Sequence, residues 1–328
     1  MARITQTMKY EIAFEKDLYR LLDDISYAIW RVKNRATTMA YDWQHFSFGY
    51  NERFGEFPEP KSIMGVSQEA DASRNVKELA LFVASTITDK AAQQAVKKVK
   101  EMSSDILRGN KSIPTYRRDG SFPMPAQGIK NLARISPSKY TVKLSLLSRE
   151  GAKERGTTTQ QQITLKTGNG ANKILDRIID GTYKLCDSNI SKQKSKYFLN
   201  LVYQFEADKL PRLSKDNVMG VDLGVVKAAT LAFNHTKKRY YIEGDEIRSF
   251  RARIEARRIS LLRQGKYCGD GRKGRGRKTK LKPIEKLRGK VENFKRTTNH
   301  RYAKFIVDMA IKHDCGVIQM EDLSGVSS

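Results

Sequence analysis

The strongest constraint on the fold is a short apolar stretch, residues 218–224, that carries a single carboxylate at Asp222. An apolar run of this length with β-branched residues is typical of a buried strand. A carboxylate in such a strand is costly to bury unless it is paired or binds a metal ion. We therefore expect Asp222 to lie near the end of the strand, where water and solvated ions reach it.

A second apolar run, residues 315–320, also ends at a carboxylate, Glu321. If the two strands are neighbours in one sheet, both carboxylates point into one site. Paired oxygen ligands suit Mg²⁺ or Mn²⁺, and two such ions about 4 Å apart can support phosphodiester cleavage. This predicts Asp222 and Glu321 as catalytic residues and metal ligands. The alternative is that Asp222 caps a turn and that Glu321 or Asp322 caps a helix.

The charge of the chain predicts a polyanionic partner. Its 328 residues include 62 Lys and Arg against 36 Asp and Glu, a formal net charge of +26. Nucleic acid is the usual polyanion for so basic a surface. No membrane partner is expected, because the sequence has a polar N-terminus and no apolar run near the ~20 residues that span a bilayer. Three widely spaced cysteines without a C-x-x-C pair predict no zinc site within this chain and fit a cytoplasmic protein.

The densest basic segment, residues 272–282, holds seven Lys or Arg and no acid. Its glycines would let a loop follow a phosphate backbone in more than one shape. Further arginines lie opposite the apolar side of a helix predicted at 246–264, and a weaker pair follows Tyr116. The predicted nucleic-acid-binding residues are Arg117, Arg118, Arg257, Arg258, Arg272, Lys273, Arg275, Arg277, Lys278, Lys280 and Lys282.

The N-terminal two thirds of the chain changes its hydrophobic period twice. Residues 3–14 alternate like a half-buried strand, and residues 17–108 form a mainly helical block with a predicted loop at 51–65 and continuous helix at 68–108. Residues 112–206 predict strands at 141–146, 162–166 and 197–203 and one helix near 171–180. We expect a small β-barrel or sandwich that the first strand joins, so that the helical block is an insertion. The aromatic residues between Trp30 and Tyr50 are interpreted as helix-packing core, with base stacking as the alternative.

The last third of the chain is predicted to form strands, then two helices and a final strand. Residues 209–216, with Pro211, are predicted as a linker. Strands follow at 217–223, 226–233 and 238–243, and the helix at 246–264 comes next. Pro283 is then expected to open a second long helix that ends near His313.

Several motifs, taken together in their order, resemble the RuvC-type nuclease core of the miniature type V-F CRISPR effectors, which are related to the TnpB nucleases. They are MGVDLG at 219–224, RRISLLRQGKY at 257–267, TTNHRY at 297–302 and IQMEDL at 318–323. IPTYRRD at 113–119 and LSLLS at 144–148 resemble the family's N-terminal half. Asp222 matches the family's first catalytic aspartate and Glu321 its catalytic glutamate.

The resemblance implies a multidomain α+β fold, in which a wedge-type β-barrel carries an inserted helical recognition domain and a partial RNase H-like (RuvC) α/β domain follows. The barrel would comprise residues 1–16 and 111–208, the recognition domain 17–110, the linker 209–216 and the nuclease domain 217–328. The implied partners are a guide RNA and double-stranded target DNA with a short T-rich flanking motif, bound by a homodimer on one guide RNA in the prokaryotic cytoplasm. Mg²⁺ or Mn²⁺ would be the cofactor.

The family continues past Glu321 with a helix, a four-cysteine zinc module and a third catalytic aspartate, and this sequence has no counterpart of them. We expect a C-terminally truncated effector, with an uncovered sheet edge and weak metal binding. Three alternatives stay open: an RNA-guided DNA-binding protein without cleavage activity, a TnpB-like transposon-associated nuclease, and a sequence-specific DNA-binding factor without RNA.

Overall fold

A computed structural model describes residues 3–167, 171–206, 212–224, 226–266 and 277–321, although the side chains of residues 265, 266, 277–282 and 285 are outside this description. The chain divides into two compact units, Met1–Lys209 and Leu210–Ser328. Both contain helices and a sheet, so the chain is a multidomain α+β protein. None of the described helices combines the length and the apolar character needed to cross a membrane.

The first unit is built on one seven-stranded antiparallel sheet with the order β2-β6-β7-β1-β5-β4-β3. Its strands are β1 (Arg3–Ile12), β2 (Phe122–Met124), β3 (Ile129–Ser136), β4 (Lys139–Ser145), β5 (Gln160–Lys166), β6 (Lys184–Gln193) and β7 (Lys196–Glu206). The N-terminal strand β1 pairs with both β7 and β5, which confirms that the first strand joins the later strands in one sheet. The helices that follow β1 are therefore an insertion between strands of this sheet. The wedge-type barrel stays a prediction.

The helices described in the first unit are α1 (Lys16–Phe54), α2 (Pro60–Met64), α3 (Gln68–Asn75), α4 (Ser85–Leu107), α5 (Arg149–Glu154) and α6 (Asn172–Ile179), with 3₁₀ turns at Lys77–Ala80 and Ala126–Gly128. All of these α-helices except α2 contribute residues to one core with the sheet. The block predicted as continuous helix at 68–108 is broken, because Val83 forms a bridge with Leu147 and the N–H of Ala84 donates to the carbonyl of Leu146. Backbone groups committed to the sheet cannot also continue a helix.

The helix α1 continues into the loop predicted at 51–65 and ends where Gly55 adopts a φ of 76°. The N–H of Gly55 then donates to the carbonyl of Asn51, a left-handed cap that glycine adopts without strain. The interpretation of the distal aromatics as core is wrong for Phe46 and Phe48, which are both 44% exposed. The fully buried face of α1 stops at Ala40, and beyond it the aromatic rings of Trp43, Phe46, Tyr50 and Phe54 contact one another along the helix.

The second unit contains a four-stranded sheet with the order β10-β9-β8-β11. Its elements are β8 (Ser214–Asp222), β9 (Lys227–Phe233), β10 (Arg239–Glu243), α7 (Asp245–Lys266), α8 (Arg277–Lys312) and β11 (Cys315–Met320). Strands β8, β9 and β10 are antiparallel, whereas β11 joins β8 in parallel. Met219 and Val221 of β8 are buried in one core with Ile306 and Ala310 of α8.

Two boundary predictions in the second unit are wrong. The first strand begins at Ser214, so residues 214–216 belong to β8 and not to a linker. The second long helix begins at Arg277, and Pro283 lies inside it. Lys and Arg are good helix formers, and residues 277–282 contain neither Gly nor Pro to stop a helix. The second half of the predicted basic loop is therefore helical.

A core substitution tests the role of α1 as the central helix of the first unit. Leu22 is fully buried, so Leu22→Ala should lower the free energy of unfolding by about 3 kcal/mol, through lost apolar burial and the cavity left behind. Arg31→Ala, at an exposed position of the same helix, should change it by less than about 0.5 kcal/mol. Urea denaturation of both variants measures the difference. Equal effects would contradict the packing of α1.

Candidate metal centre and nucleic-acid interface

The register of β8 and β11 brings the two predicted metal ligands together. Met320 lies opposite Val221, and Gln319 lies opposite Gly220. One step further along these parallel strands, Glu321 follows beside Asp222 at the same edge of the sheet. Neighbouring strands are about 4.8 Å apart, and residues in register share a face. Both residues are exposed, so a solvated ion can reach them.

The chain locks this register just before β11. The side-chain oxygen of Asp314 accepts a hydrogen bond from the Ser214 N–H at 3.3 Å, and its carbonyl accepts one from Asn217 Nδ2 at 3.1 Å. A Cβ added at Gly316 would lie only 2.6 Å from the carbonyl oxygen of Ser214. Only glycine fits this close approach of the two strands. A shift of one residue would send Glu321 to the opposite face.

The face of the sheet that carries Asp222 has space for a ligand. Alternation along β8 buries Met219 and Val221 and turns Gly220 and Asp222 to the other side. On that side, Asp222 lies opposite Thr230 and Gly220 lies opposite Ala232 of β9. Small residues thus surround the aspartate position, which leaves space for a ligand above the sheet.

Neither carboxylate has a protein partner. In the part of the chain that the structure describes, the carboxylates of Asp222 and Glu321 form no hydrogen bond and no ion pair, although thirteen ion pairs occur elsewhere in it. Two adjacent carboxylates repel each other unless a cation lies between them. Their oxygen donors therefore fit a divalent cation. The described residues contain no group of three or more His, Cys, Asp or Glu that could hold a metal ion, so the pair supplies only two protein ligands.

In the first unit, the segment that carries Arg117 and Arg118 is fixed to one face of α1. Five hydrogen bonds join side chains of α1 to the backbone of residues 116–121. They are Ser26 Oγ to Arg118 O (3.4 Å) and to Gly120 O (3.0 Å), Trp30 Nε1 to Tyr116 O (2.8 Å), Lys33 Nζ to Ser121 O (2.9 Å) and Tyr116 N to Asn34 Oδ1 (3.2 Å). Both arginines are exposed, and the Arg118 guanidinium lies 4.5 Å from the centre of the Tyr27 ring. A fixed backbone with free guanidinium groups suits contact with phosphates.

Sequence reasoning missed the residues that fix this segment. Ser26 and Lys33 are only 4% and 8% exposed and interrupt the apolar face of α1. A lysine on the buried face of an amphipathic helix is the signal that could have revealed them. Burial lowers the pKa of Lys33 to about 8, because the charged form loses its hydration.

The other predicted nucleic-acid-binding residues lie in the second unit. Arg257 and Arg258 are exposed on α7, and Arg258 pairs with Glu255 at 3.6 Å. Arg272, Lys273 and Arg275 are outside the described residues. Arg277, Lys278, Lys280 and Lys282 belong to α8, but their side chains are outside the description as well.

Comparison with known proteins identifies clear relatives, although no family model matches the chain. It is 40% identical over 296 residues to the CRISPR-associated endodeoxyribonuclease Cas12f1 of Sulfoacidibacillus thermotolerans, which covers 89% of this chain and 70% of the relative. It is 38% identical over 251 residues to the Cas12f1 of Syntrophomonas palmitatica, which covers 73% of this chain and 50% of that relative. The matched part of the chain thus spans between 50% and 70% of the length of these relatives.

A solved structure supports the fold. The cryo-EM structure of a Cas12f1–sgRNA–target DNA complex aligns with a TM-score of 0.66 at 18% sequence identity, and the match covers 95% of this chain and 66% of the other. At this level of identity, the similarity concerns the fold alone.

The buried lysine gives a pH-dependent prediction. Because the pKa of Lys33 is about 8 in the folded chain and 10.5 in the unfolded one, the unfolded chain binds more protons between these values. Lys33 should therefore contribute a rise in the free energy of unfolding with pH across this window, of roughly 2–3 kcal/mol relative to a variant without this lysine. In Lys33→Met this rise should disappear, whereas in Lys16→Met, at an exposed position of α1, it should persist. Denaturant titrations at several pH values measure it, and parallel curves for all three proteins would refute the assignment.

Proposed function

Because the chain belongs to the Cas12f1 family of CRISPR-associated endodeoxyribonucleases, we propose that it is a guide-RNA-directed, DNA-targeting effector that cuts DNA with divalent metal ions. The family relationship supports DNA endonuclease activity, and the net charge of +26 supports a nucleic-acid partner. In such effectors base pairing reads the sequence, and the protein mainly contacts backbone.

In this proposal, Asp222 and Glu321 hold Mg²⁺ or Mn²⁺. The observation that carries it is the parallel register of β8 and β11, which sets the two positions side by side at one sheet edge. A bound divalent ion supplies an activated water and stabilises charge on the phosphate. The chain's own contribution is to orient two unpaired carboxylates on a rigid sheet and to leave the neighbouring face open at Gly220 and Ala232.

The two units correspond to functional domains in this proposal. Residues 1–16 and 111–208 form the wedge-type β-barrel, residues 17–110 form the helical recognition domain, and a RuvC-like nuclease domain begins with β8 at Ser214. The pairing of β1 with β5 and β7 supports a helical insertion into one β domain. The parallel addition of β11 to an antiparallel β8–β10 sheet supports an RNase H-like arrangement.

The proposed partners are a guide RNA and a double-stranded DNA target. Arg117 and Arg118 would contact phosphates from a segment fixed to α1, and Arg257 and Arg258 would do so from α7. The T-rich flanking motif, the homodimer on one guide RNA and the prokaryotic cytoplasm stay predictions from the family resemblance.

A second candidate is RNA-guided DNA binding without cleavage. It is favoured by the finding that only two carboxylates, and no third ligand in the described part of the chain, come together at the proposed centre. A two-metal site lacking one acid would bind metal weakly and react slowly. In a TnpB-like nuclease, Asp222 and Glu321 would have the same role as metal ligands for DNA cleavage.

A cleavage assay with carboxylate variants separates these candidates. The chain, its guide RNA and Mg²⁺ are mixed with a guide-matched DNA duplex. Asp222→Asn and Glu321→Gln should each slow cleavage by about a hundredfold or more, because each removes a charged metal ligand, while guide RNA affinity stays unchanged. Asp216→Asn, at an exposed carboxylate of the same strand, is the matched control.

Guide-dependent DNA binding by the wild-type chain without any cleavage would favour the second candidate. Full cleavage by either variant would show that the metal ligands are assigned wrongly.

A further inference from the structure

In the first unit, a cleft of about 660 Å³ lies where α4 begins beside the end of β4. Hydroxyl and basic side chains contribute to its lining, and no carboxylate does so among the residues described. The polar lining includes Lys77, Ser85, Thr86, Thr88, Ser145 and Arg149. Such a surface suits an anion, and neither the proposed metal centre nor the predicted arginines account for it.

The helix α4 presents an uncapped N-terminus to this cleft. Its N-cap residue is Ala84, which forms no side-chain cap. Within the described chain, the N–H groups of Ser85 and Thr86 have no hydrogen-bond partner. The peptide dipoles of this 23-residue helix place partial positive charge at the same end. Free N–H groups at such an end bind phosphate and other anions.

Thr88 is a second and independent feature of the cleft. It is only 2% exposed, yet it lines the cleft, and its Oγ1 is buried without any hydrogen-bond partner. Leaving a buried hydroxyl unpaired costs free energy, so native structures rarely do so without a ligand or another reason. A bound group that accepts a hydrogen bond would remove this cost.

The frame of the cleft is rigid. The isolated bridge between Val83 and Leu147 holds the segment before α4 on the sheet, and the N–H of Ala84 donates to the carbonyl of Leu146 at 3.0 Å. The N–H of Ser148 donates to the carbonyl of Phe82 at 3.0 Å. The helix terminus is therefore positioned before any ligand arrives, which lowers the entropic cost of binding.

We propose that this cleft binds one backbone phosphate of a nucleic acid, which accepts hydrogen bonds from the N–H groups of Ser85 and Thr86 and from the hydroxyl of Thr88. Lys77 and Arg149, both exposed, add positive charge at the rim. The identity of the polymer as nucleic acid rests on the proposed function. Guide RNA and target DNA carry the same phosphodiester group, so the test has one arm for each.

Two variants remove the proposed contacts without adding bulk to the cleft. Ser85→Pro removes one free N–H at the first helical position, where proline is tolerated. The preceding Ala84 already has a ψ of 128°, as a residue before proline requires. Thr88→Val replaces the unpaired hydroxyl with a methyl group. Ser85→Ala, which keeps the N–H, is the matched control.

Affinity for the guide RNA, and affinity of the chain–guide complex for a guide-matched DNA duplex, are measured for each variant. Ser85→Pro and Thr88→Val should weaken one of the two by about tenfold, the loss expected for a hydrogen bond to a charged group, and Ser85→Ala should not. The assay in which affinity falls shows whether the bound phosphate belongs to the guide RNA or to the target DNA. Thermal unfolding should show that Thr88→Val is at least as stable as the wild type. The affinities of this variant therefore test the phosphate site even if Ser85→Pro does not fold.

Wild-type affinity for both polymers in Thr88→Val would overturn the phosphate site while leaving the proposed function intact. Failure of the wild-type chain to bind either polymer would instead contradict the proposed function.

Discussion

The parallel pairing of β11 with β8 is the interaction on which the proposed centre depends. Parallel neighbours need a crossover connection, and here the chain between β10 and β11 includes α7 and α8. Ile306 and Ala310 of α8 share a core with one face of β8. The opposite face is left for Asp222. The backbone contact at Gly316 and the hydrogen bonds of Asp314 then fix the register that sets Glu321 beside it.

In the first unit, one helix also has two structural roles. The same helix, α1, supplies the apolar face of the core and the polar side chains that hold residues 116–121. Burying Lys33 costs free energy, and its hydrogen bond to Ser121 offsets part of that cost. The hydrogen bonds from α1 fix the backbone beside Arg117 and Arg118. In the proposed function, the two guanidinium groups would therefore lose little conformational entropy on binding a phosphate.

The sequence allowed prediction of the elements whose apolar pattern is strong. Strands β8 and β11 contain apolar runs that end at a carboxylate. The bounds of β11 and the end of β8 were predicted to within one residue, whereas β8 begins three residues before its predicted start. Strand β6 was missed, because its ten residues KLCDSNISKQ are mostly polar and only their pairing with β2 and β7 makes them a strand. The start of α8 was misplaced, because Pro283 is a typical start signal that the preceding helix formers overrode.

The site could be predicted only in part. Charge at a strand end predicts Asp222 and Glu321 as candidate ligands, but their adjacency depends on a tertiary register that no local pattern encodes. The residues that hold the 116–121 segment, and the unpaired Thr88, are polar side chains on helices. Their role follows from what lies opposite them in the fold. The distal aromatics of α1 were misassigned for the same reason, since helical spacing does not show where a packing partner ends.

The most direct test of the central claim, that Asp222 and Glu321 form one metal centre, is a double-mutant cycle on Mn²⁺ affinity measured by electron paramagnetic resonance. The wild type, Asp222→Asn, Glu321→Gln and the double variant are compared. If one ion bridges both carboxylates, each single variant should lose nearly as much affinity as the double variant, so that the two losses do not add. Wild-type affinity in either single variant, or losses that simply add, would contradict a shared centre.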